Sequence, residues 1–555
     1  MKIALNFLLV NLFIVQLAFS QTNIVVDNTQ VVTTSKFQWG QSIIDGSFGG
    51  WNPANSLNNA IGLLKGSPSY VNLQIMAWGA GDPWADSSKV DPYDYAYLDR
   101  IIGIANNADC TPVLTLCEAP WWMKGQLNAD GSTTLLTAAD EWKDIAYNSR
   151  ILDNKMNKWL HLVRRIAERY MVSPYNVRYF QVWNELKGYY NPKTNNSDYN
   201  SSAGEPLGYN AKHGYTYMYN KVYDLIKIVA AEQGIDPAMV CVGGPYPVMM
   251  SENSSAVMSH PSNISGAWGV MDKRSLDALS YWLNNKNGGE FISLDGGNEH
   301  KSTTSLVNSF EMCDKYKAVN DWVRAQTQGK SIPIWWSEMY VHLNGLANTE
   351  AVYNALGAYS SLKMIVSDAS VALLWGNYEG NYCMPPLWTK TDINNGGTPY
   401  KWYYTTKIIN SDFGPGSTIC KSSSSSSDVA VIATDSKAMV INKTDLSQPI
   451  ILNGSVLSSL TPYEVRFIDY NSTGINTIDE GTSIYSAYPT IAKETIKLTS
   501  KTVLGNVSIV NSTGELVFCN YFKTSNTEIN ISKFPSGLYL FKLNNGLKVI
   551  KFIKE

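Results

Sequence analysis

From about Ser35 to about Asn410, short apolar runs alternate with longer segments whose apolar residues recur every three or four positions. Eight of the short runs read as strands: Phe37–Ile44, Val71–Trp78, Pro112–Glu118, Arg178–Trp183, Met239–Gly243, Phe291–Leu294, Pro333–Glu338 and Val371–Trp375. The segments Tyr93–Ala105, Asp153–Tyr170, Tyr215–Gln233, Leu306–Gln326 and Glu350–Ser367 read as helices between them. Strands that alternate with helices pair in parallel, because a parallel connection needs a long crossover. Eight such units suit a closed (β/α)8 TIM barrel, an α/β fold, better than an open sheet.

The pattern changes beyond the barrel. Six consecutive serines lie between Lys421 and Asp428, and the helical period then fades. Val429–Thr434, Ala438–Asn442, Ile450–Leu452 and Tyr463–Phe467 read as short antiparallel strands of a small β-sandwich. A polar stretch follows from Tyr470, and the chain ends in another β-rich region. The organisation expected is a barrel over 21–412, an accessory β-sandwich over 413–469, a linker over 470–483 and a β-rich domain over 484–555.

Residues 1–20 stand apart. Lys2 is followed by an apolar run to Phe19, and Ala18-Phe19-Ser20 places small residues at the two positions that define signal-peptide cleavage. No later stretch is long and apolar enough for a transmembrane anchor, so the expected location is secreted or cell surface.

Composition narrows the chemistry. Charged residues make up only 16% of the chain and the net charge is -3, with no long basic run, which excludes a nucleic-acid partner. The 17 Trp and 33 Tyr are many. Their flat apolar faces suit sugar rings, although most such residues pack in cores. The seven cysteines have no CxxC or metal-type spacing, so a disulfide among them is left open. The five histidines are scattered without an HExxH pattern. No catalytic metal and no cofactor are expected.

Two strand ends carry the candidate chemistry. Phe180-Gln181-Val182-Trp183-Asn184-Glu185 closes the fourth strand with polar residues, and Ile334-Trp335-Trp336-Ser337-Glu338 closes the seventh with a carboxylate. Catalytic groups of a (β/α)8 barrel sit at the C-terminal ends of strands. Strands four and seven face each other there. Two carboxyls about 5 Å apart would give double displacement with retention, and a wider gap would admit water and invert. Glu338 would then need hydrogen-bond donors to stay ionised, and Glu185 a raised pKa to start protonated. Trp78, Trp84, Trp121, Trp122, Trp183 and Tyr340 lie at or beyond strand ends and are candidates for sugar stacking. Glu118 also ends a strand and is the reserve carboxylate. His213 and His342 are candidates for the cleft wall. Gly243-Gly244-Pro245 lacks the Lys-Ser/Thr partner of a phosphate loop and reads as a tight strand exit.

On these two motifs the chain resembles clan A glycoside hydrolases, closest to the family 39 group of β-xylosidases and α-L-iduronidases. Pro112-Val113-Leu114-Thr115-Leu116, Ala119-Pro120-Trp121-Trp122-Met123 and Val242-Gly243-Gly244-Pro245 add to it. The resemblance implies Glu185 as acid/base, Glu338 as nucleophile, Asn184 at a sugar 2-hydroxyl and Trp375 as the aromatic ending strand eight. It also implies a carbohydrate substrate. Two departures stand out. Strand six, Phe291 to His300, lacks the family's His or Tyr setting, and strand two offers Trp78 and Asp82 where many members have Arg. The C-terminal segments Tyr488-Pro489-Thr490, Asn511 to Leu516, Pro535-Ser536-Gly537-Leu538-Tyr539-Leu540 and Lys551-Phe552-Ile553-Lys554-Glu555 resemble the sorting domain of type IX secretion substrates. This implies the type IX secretion machinery as a partner. The alternatives are a non-catalytic sugar-binding protein on a degenerate barrel, and an inverting hydrolase or transglycosylase using the same site.

Overall fold

The computed structural model describes residues 21–555 except 45–46, 77–82, 85, 90, 200–212, 300–308, 344–345, 377–385, 471–475, 479–484, 490, 501–502, 512–514 and 544–547. The expected signal segment, Trp78, Asp82, His300 and Cys383 therefore lie outside the described residues. Eight strands form a closed barrel. In chain order they are β1 (Gln38–Ile43), β2 (Tyr70–Gln74), β3 (Thr111–Leu116), β4 (Tyr179–Val182), β5 (Cys241–Val248), β6 (Phe291–Gly297), β7 (Ile334–Tyr340) and β8 (Ala369–Trp375). Every neighbouring pair is parallel, and β8 returns to β1. Each strand is followed by a helix: α1 (Ala54–Gly66), α2 (Ala96–Asn107), α3 (Met156–Tyr170), α4 (Tyr215–Glu232), α5 (Lys273–Asn285), α6 (Asp314–Ala325), α7 (Glu350–Val366) and α8 (Lys401–Asp412). The fold is the (β/α)8 barrel that the pattern predicts.

The helices form where the 3.6 period says they should. In α3 the buried residues Met156, Trp159, Leu162, Val163, Ile166, Ala167 and Tyr170 make one apolar stripe that lies on the barrel wall. Inside the barrel the period is two, and it stacks side chains in layers. The floor is an apolar plug of Val113, Phe291, Trp335, Val371 and Leu373, with Tyr70 and Tyr179 against it. Trp335 stacks on Phe291 with ring centroids 4.2 Å apart. Gly243 belongs to this plug, since a Cβ there would lie 2.1 Å from the Phe291 ring. Above the plug is a layer of polar pairs. Thr115 donates to Asn72, Asn72 to Ser42, and Ser293 to Gln181. The next layer up is the site.

Beyond the barrel, one sheet of eight strands runs in the order Ser455–Val456, Ile450–Leu452, Thr22–Thr34, Thr418–Ser424, Val429–Ala433, Lys437–Asn442, Val465–Asp469 and Asn476–Ile478. Alternation splits its side chains between two cores. Ile432, Met439, Ile441, Val465 and Phe467 join the barrel core, whereas Val429, Ala433, Ala438, Val440 and Ile468 close a second core with Ile24, Val26, Ile450 and Leu452. The segment 21–412 expected as barrel thus begins with a strand of this accessory sheet, and the 470–483 segment expected as linker contributes the strand Asn476–Ile478.

The C-terminal region pairs Ile491–Ala492, Lys548–Lys554, Gly537–Leu543, Gly505–Asn511 and Leu516–Phe522 in one sheet. A second sheet pairs Tyr485–Tyr488, Thr495–Ser500 and Asn526–Asn530. Between them lies a separate core that includes Ile496, Leu498, Val507, Ile509, Ile529, Phe541 and Phe552. The six described cysteines are free thiols.

Candidate active site

Strand period alone would not build this site. On β7, Trp335 and Ser337 face inward and Trp336 faces the helices, where its indole donates to Asn320. Strict alternation would therefore turn Glu338 outward. Instead β7 carries one extra residue between Trp336 and Glu338 relative to β6, and the same offset appears against β8. This bulge returns Glu338 to the barrel interior, where it is 4% exposed. A second irregularity in β5, between Pro245 and Val248, presents Tyr246 in the left-handed region at φ 65. At the end of β4, Trp183, Glu185 and Leu186 take φ of 69, 47 and 55. Such a run of non-glycine residues is costly and is held in place by its surroundings.

These devices converge three carboxyls. Oxygens of Glu185, Asp295 and Glu338 all lie within 4.8 Å of one another, close enough to hold one cation among them. Each has its own partners. Glu338 Oε2 accepts from the Tyr246 hydroxyl at 2.6 Å and from Gln74 Nε2 at 3.3 Å. Glu185 Oε2 accepts from the Tyr147 hydroxyl at 2.9 Å and pairs with Lys187 Nζ at 2.7 Å. Asn184 is buried between the two halves, accepting from Gln74 at 3.2 Å and donating to the Tyr147 hydroxyl at 2.8 Å. Trp375 Nε1 donates to Gln74 Oε1 at 3.4 Å.

Electrostatics follows from burial and charge count. Burial and the charge on Glu185 push Glu338 up to about 8, against the donors Tyr246 and Gln74. Asp295 is raised well above the usual carboxylate range by burial and by both neighbouring carboxyls. Burial also raises Glu185, but the Lys187 ammonium and hydrogen bonds from Asp295, Lys187 and Tyr147 outweigh it, so it lies low. Burial and mutual repulsion thus favour the protonated form of Asp295 and Glu338, and the donors around Glu185 favour its anion. This reverses the expected starting distribution of a charged Glu338 and a protonated Glu185.

A cavity of about 390 Å³ opens over Asp295, bounded by Glu185, Met249, Tyr340, His342 and Trp375. A second, of about 500 Å³, lies on the other side of Glu185 between Asn148, Lys187, Tyr190 and Arg274. Of the residues the sequence singled out, the structure brings Glu185, Glu338, Asn184, Tyr340, Trp375 and His342 together. It does not bring in the expected Trp121 and Trp122. Trp121 lines a separate small cavity with Trp84, Glu118, Lys124 and Trp142, and Lys158 lies over the Trp122 ring. Glu118 pairs with the buried Lys124 at 3.4 Å and anchors that loop. Trp183 is 2% exposed and its indole donates to the Lys187 carbonyl. His213 stacks on Tyr217. The residues that reasoning missed are Gln74, Tyr147, Lys187 and Tyr246, together with a role for Asp295. Gln74 occupies the strand-two position beside Glu338, and Tyr246 reaches Glu338 from strand five.

Residues 486–555 match the secretion system C-terminal sorting domain. That tail marks proteins of the type IX secretion system, so the chain is secreted or held at the cell surface. Among the described residues no helix is long and apolar enough to cross a membrane. No curated protein matches the chain in sequence. Solved structures similar to it include glycoside hydrolases. A glucosidase from Croceicoccus marinus is 12% identical with a TM-score of 0.44, over 92% of this chain and 96% of that one. The catalytic domain of a GH30 xylanase C from Talaromyces cellulolyticus is 12% identical with a TM-score of 0.45, over 91% and 98%. A family 39 glycoside hydrolase from Bacteroides cellulosilyticus is 11% identical with a TM-score of 0.44, over 80% and 81%.

Proposed function

We propose that the chain is an exported retaining glycoside hydrolase of clan A, in which Glu338 attacks the anomeric carbon and Glu185 serves as acid and then base. The observation that carries this reading is the separation of the two carboxyls. Their oxygens lie within 4.8 Å across the mouth of a closed barrel. That suits direct attack, which uses carboxyls ~5 to 5.5 Å apart, and leaves no room for the water that inversion places between them. A binding protein on a degenerate barrel has no need for two such groups in a buried cluster. The resting proton on Glu338 is compatible with these roles. Moving it to Glu185 before attack crosses less than 4.8 Å and changes no net charge. Tyr246 and Gln74 then solvate the Glu338 carboxylate.

The cavities on both sides of Glu185 support an oligosaccharide or polysaccharide with sugar on each side of the scissile bond. Tyr340 and Trp375 would stack the sugar whose anomeric carbon meets Glu338, and Asn184 is placed for a ring hydroxyl. The test is reducing-sugar release from a panel of plant and algal polysaccharides and aryl glycosides. Wild type, Glu185→Gln and Glu338→Gln should differ by about 10³-fold or more on the substrate that is cleaved. With Glu338→Gly, added azide should give the glycosyl azide of inverted configuration. With Glu185→Ala it should give the retained one. The opposite pairing would exchange the two roles, and full activity in both Gln variants would remove the pair from the mechanism.

A further inference from the structure

Asp295 has no role in the scheme so far, yet it is built into the centre of the cluster. It lies on β6, opposite Glu338 in the strand register, and is 2% exposed. Its Oδ1 has no hydrogen-bond partner, and no ion pair reaches it among the described residues. A Glu185 oxygen lies within 4.8 Å of the Asp295 carboxyl. Two carboxylates so close in a buried place do not both stay ionised, so one of the two residues must carry a proton. The groups facing the pair decide which. Lys187 Nζ and the Tyr147 hydroxyl both point at Glu185, and both stabilise its anion. Tyr246 and Gln74 point at Glu338. Lys315 of α6, another cation near the cluster, is buried and donates to the Glu299 carbonyl at 3.0 Å. Among the described residues no cation pairs with Asp295 itself.

We propose that Asp295 is a positioning residue that stays a neutral carboxylic acid through turnover and donates its hydrogen bond to Glu185. The proposal rests on the glycosidase reading above. In the first half-reaction Glu185 gives a proton to the departing glycosidic oxygen, which leaves with the electron pair of the broken C–O bond. The Glu338 carboxylate supplies the pair for the new bond to carbon. Glu185 is then an anion, and the Asp295 O–H is the donor that meets it. In the second half-reaction Glu185 takes a proton from water, the water oxygen bonds the anomeric carbon, and the Glu338 carboxylate leaves. The Asp295 proton never moves, which holds the cluster to a single charge and keeps Glu185 an available base.

The test uses the full chain with Asp295→Asn, a neutral donor of the same shape, and Asp295→Ala, which donates nothing. Infrared difference spectra at pH 7 read the proton directly and need no substrate. Wild type should show protonated-carboxyl C=O bands from both Asp295 and Glu338, and Asp295→Asn should lose one of the two and keep the other. On whichever substrate wild type cleaves, Asp295→Asn should stay within about tenfold of wild type with its pH limits unchanged. Asp295→Ala should lose at least 100-fold and shift the acid limb upward. An Asp295→Asn spectrum that keeps both bands, an Asp295→Asn as inactive as Glu338→Gln, or an Asp295→Ala as active as wild type would each overturn the proposal. If Glu185→Gln and Glu338→Gln both stay active, the glycosidase site has failed, and the bands still decide where the proton sits.

Discussion

At the scale of single residues the site is governed by how many negative charges a buried pocket will hold. Glu185 and Glu338 share one proton, and their titrations belong to the pair. The upper step lies near 8, because removing the second proton puts two carboxylates side by side in a buried place. The working form keeps that proton, so kcat/KM should fall as pH rises through about 8. It should also fall on the acid side, below the ordinary glutamate range, where Glu185 takes up a proton. A pH profile checks both limbs, and a basic limb well below 7 would contradict this charge count. The same shift acts on stability. Folded Glu338 binds its proton more tightly than the unfolded chain, whose glutamate titrates near 4.5. Stability is therefore fully present below that value and is lost as pH rises toward 8. Glu338→Gln cannot ionise and should escape this loss. Its melting temperature should exceed that of wild type by a margin that grows from pH 5 to pH 8, and a constant margin would count against the buried proton. Little of this was legible in the sequence. Two strand-end glutamates could be picked out as a pair, but their protonation depends on Lys187, Tyr147, Tyr246 and Gln74, which come from four separate strands or insertions.

At the scale of elements, hydrophobic alternation gives the right number and order of barrel strands, since each buries a plug and a helix-facing row that both demand apolar residues. It fails where backbone irregularity re-aims a side chain. Alternation alone would turn Glu338 toward the helices, and only the bulge in β7, visible as a register offset against β6 and β8, puts it inside. Tyr246 escaped notice for the same reason in β5. The loop after Glu185 shows how such strain is held. Arg150, fully buried, pairs with Asp198 at 2.5 Å and lies over the Tyr189 ring at 4.6 Å. The Asp198 backbone carbonyl also accepts the Tyr215 amide at the start of α4, a bond the side chain does not make. Asp198→Ala would leave a buried guanidinium uncompensated, at a cost of about 3 to 5 kcal/mol. Urea denaturation should show that loss. The double variant Arg150→Met, Asp198→Leu should recover most of it, because it removes the stranded charge along with its partner.

At the scale of the whole molecule, the order of segments along the chain differs from their order in space. The strand Thr22–Thr34 precedes the barrel but pairs with Thr418–Ser424 across seven positions and with Ile450–Leu452 on its other side. A single sequence offers no local sign of a partner so distant, which is why this strand reads as part of the barrel segment. It sits inside the accessory sheet, with Ile24 and Val26 in that sheet's core. The same sheet lends Met439, Ile441, Val465 and Phe467 to the barrel core. Removing residues 21–34 would therefore open two unpaired strand edges and uncover the second apolar core of the sheet whose other face packs on the barrel, a template for aggregation. Such a chain should be poorly soluble or melt at least 10 °C lower than a chain beginning at Gln21, on the scale expected for losing several kcal/mol. The C-terminal sorting domain makes the opposite case. Its apolar residues close a core of their own, from Ala487 to Phe552, and none of the site residues lies in it. A chain ending before Tyr485 should keep the kcat/KM and melting temperature of the catalytic unit while failing to be exported by the type IX system. Comparing the two truncations in one assay separates a strand the barrel depends on from a tail that only directs export. A stable, active chain lacking residues 21–34 would show that the accessory sheet tolerates its own missing centre.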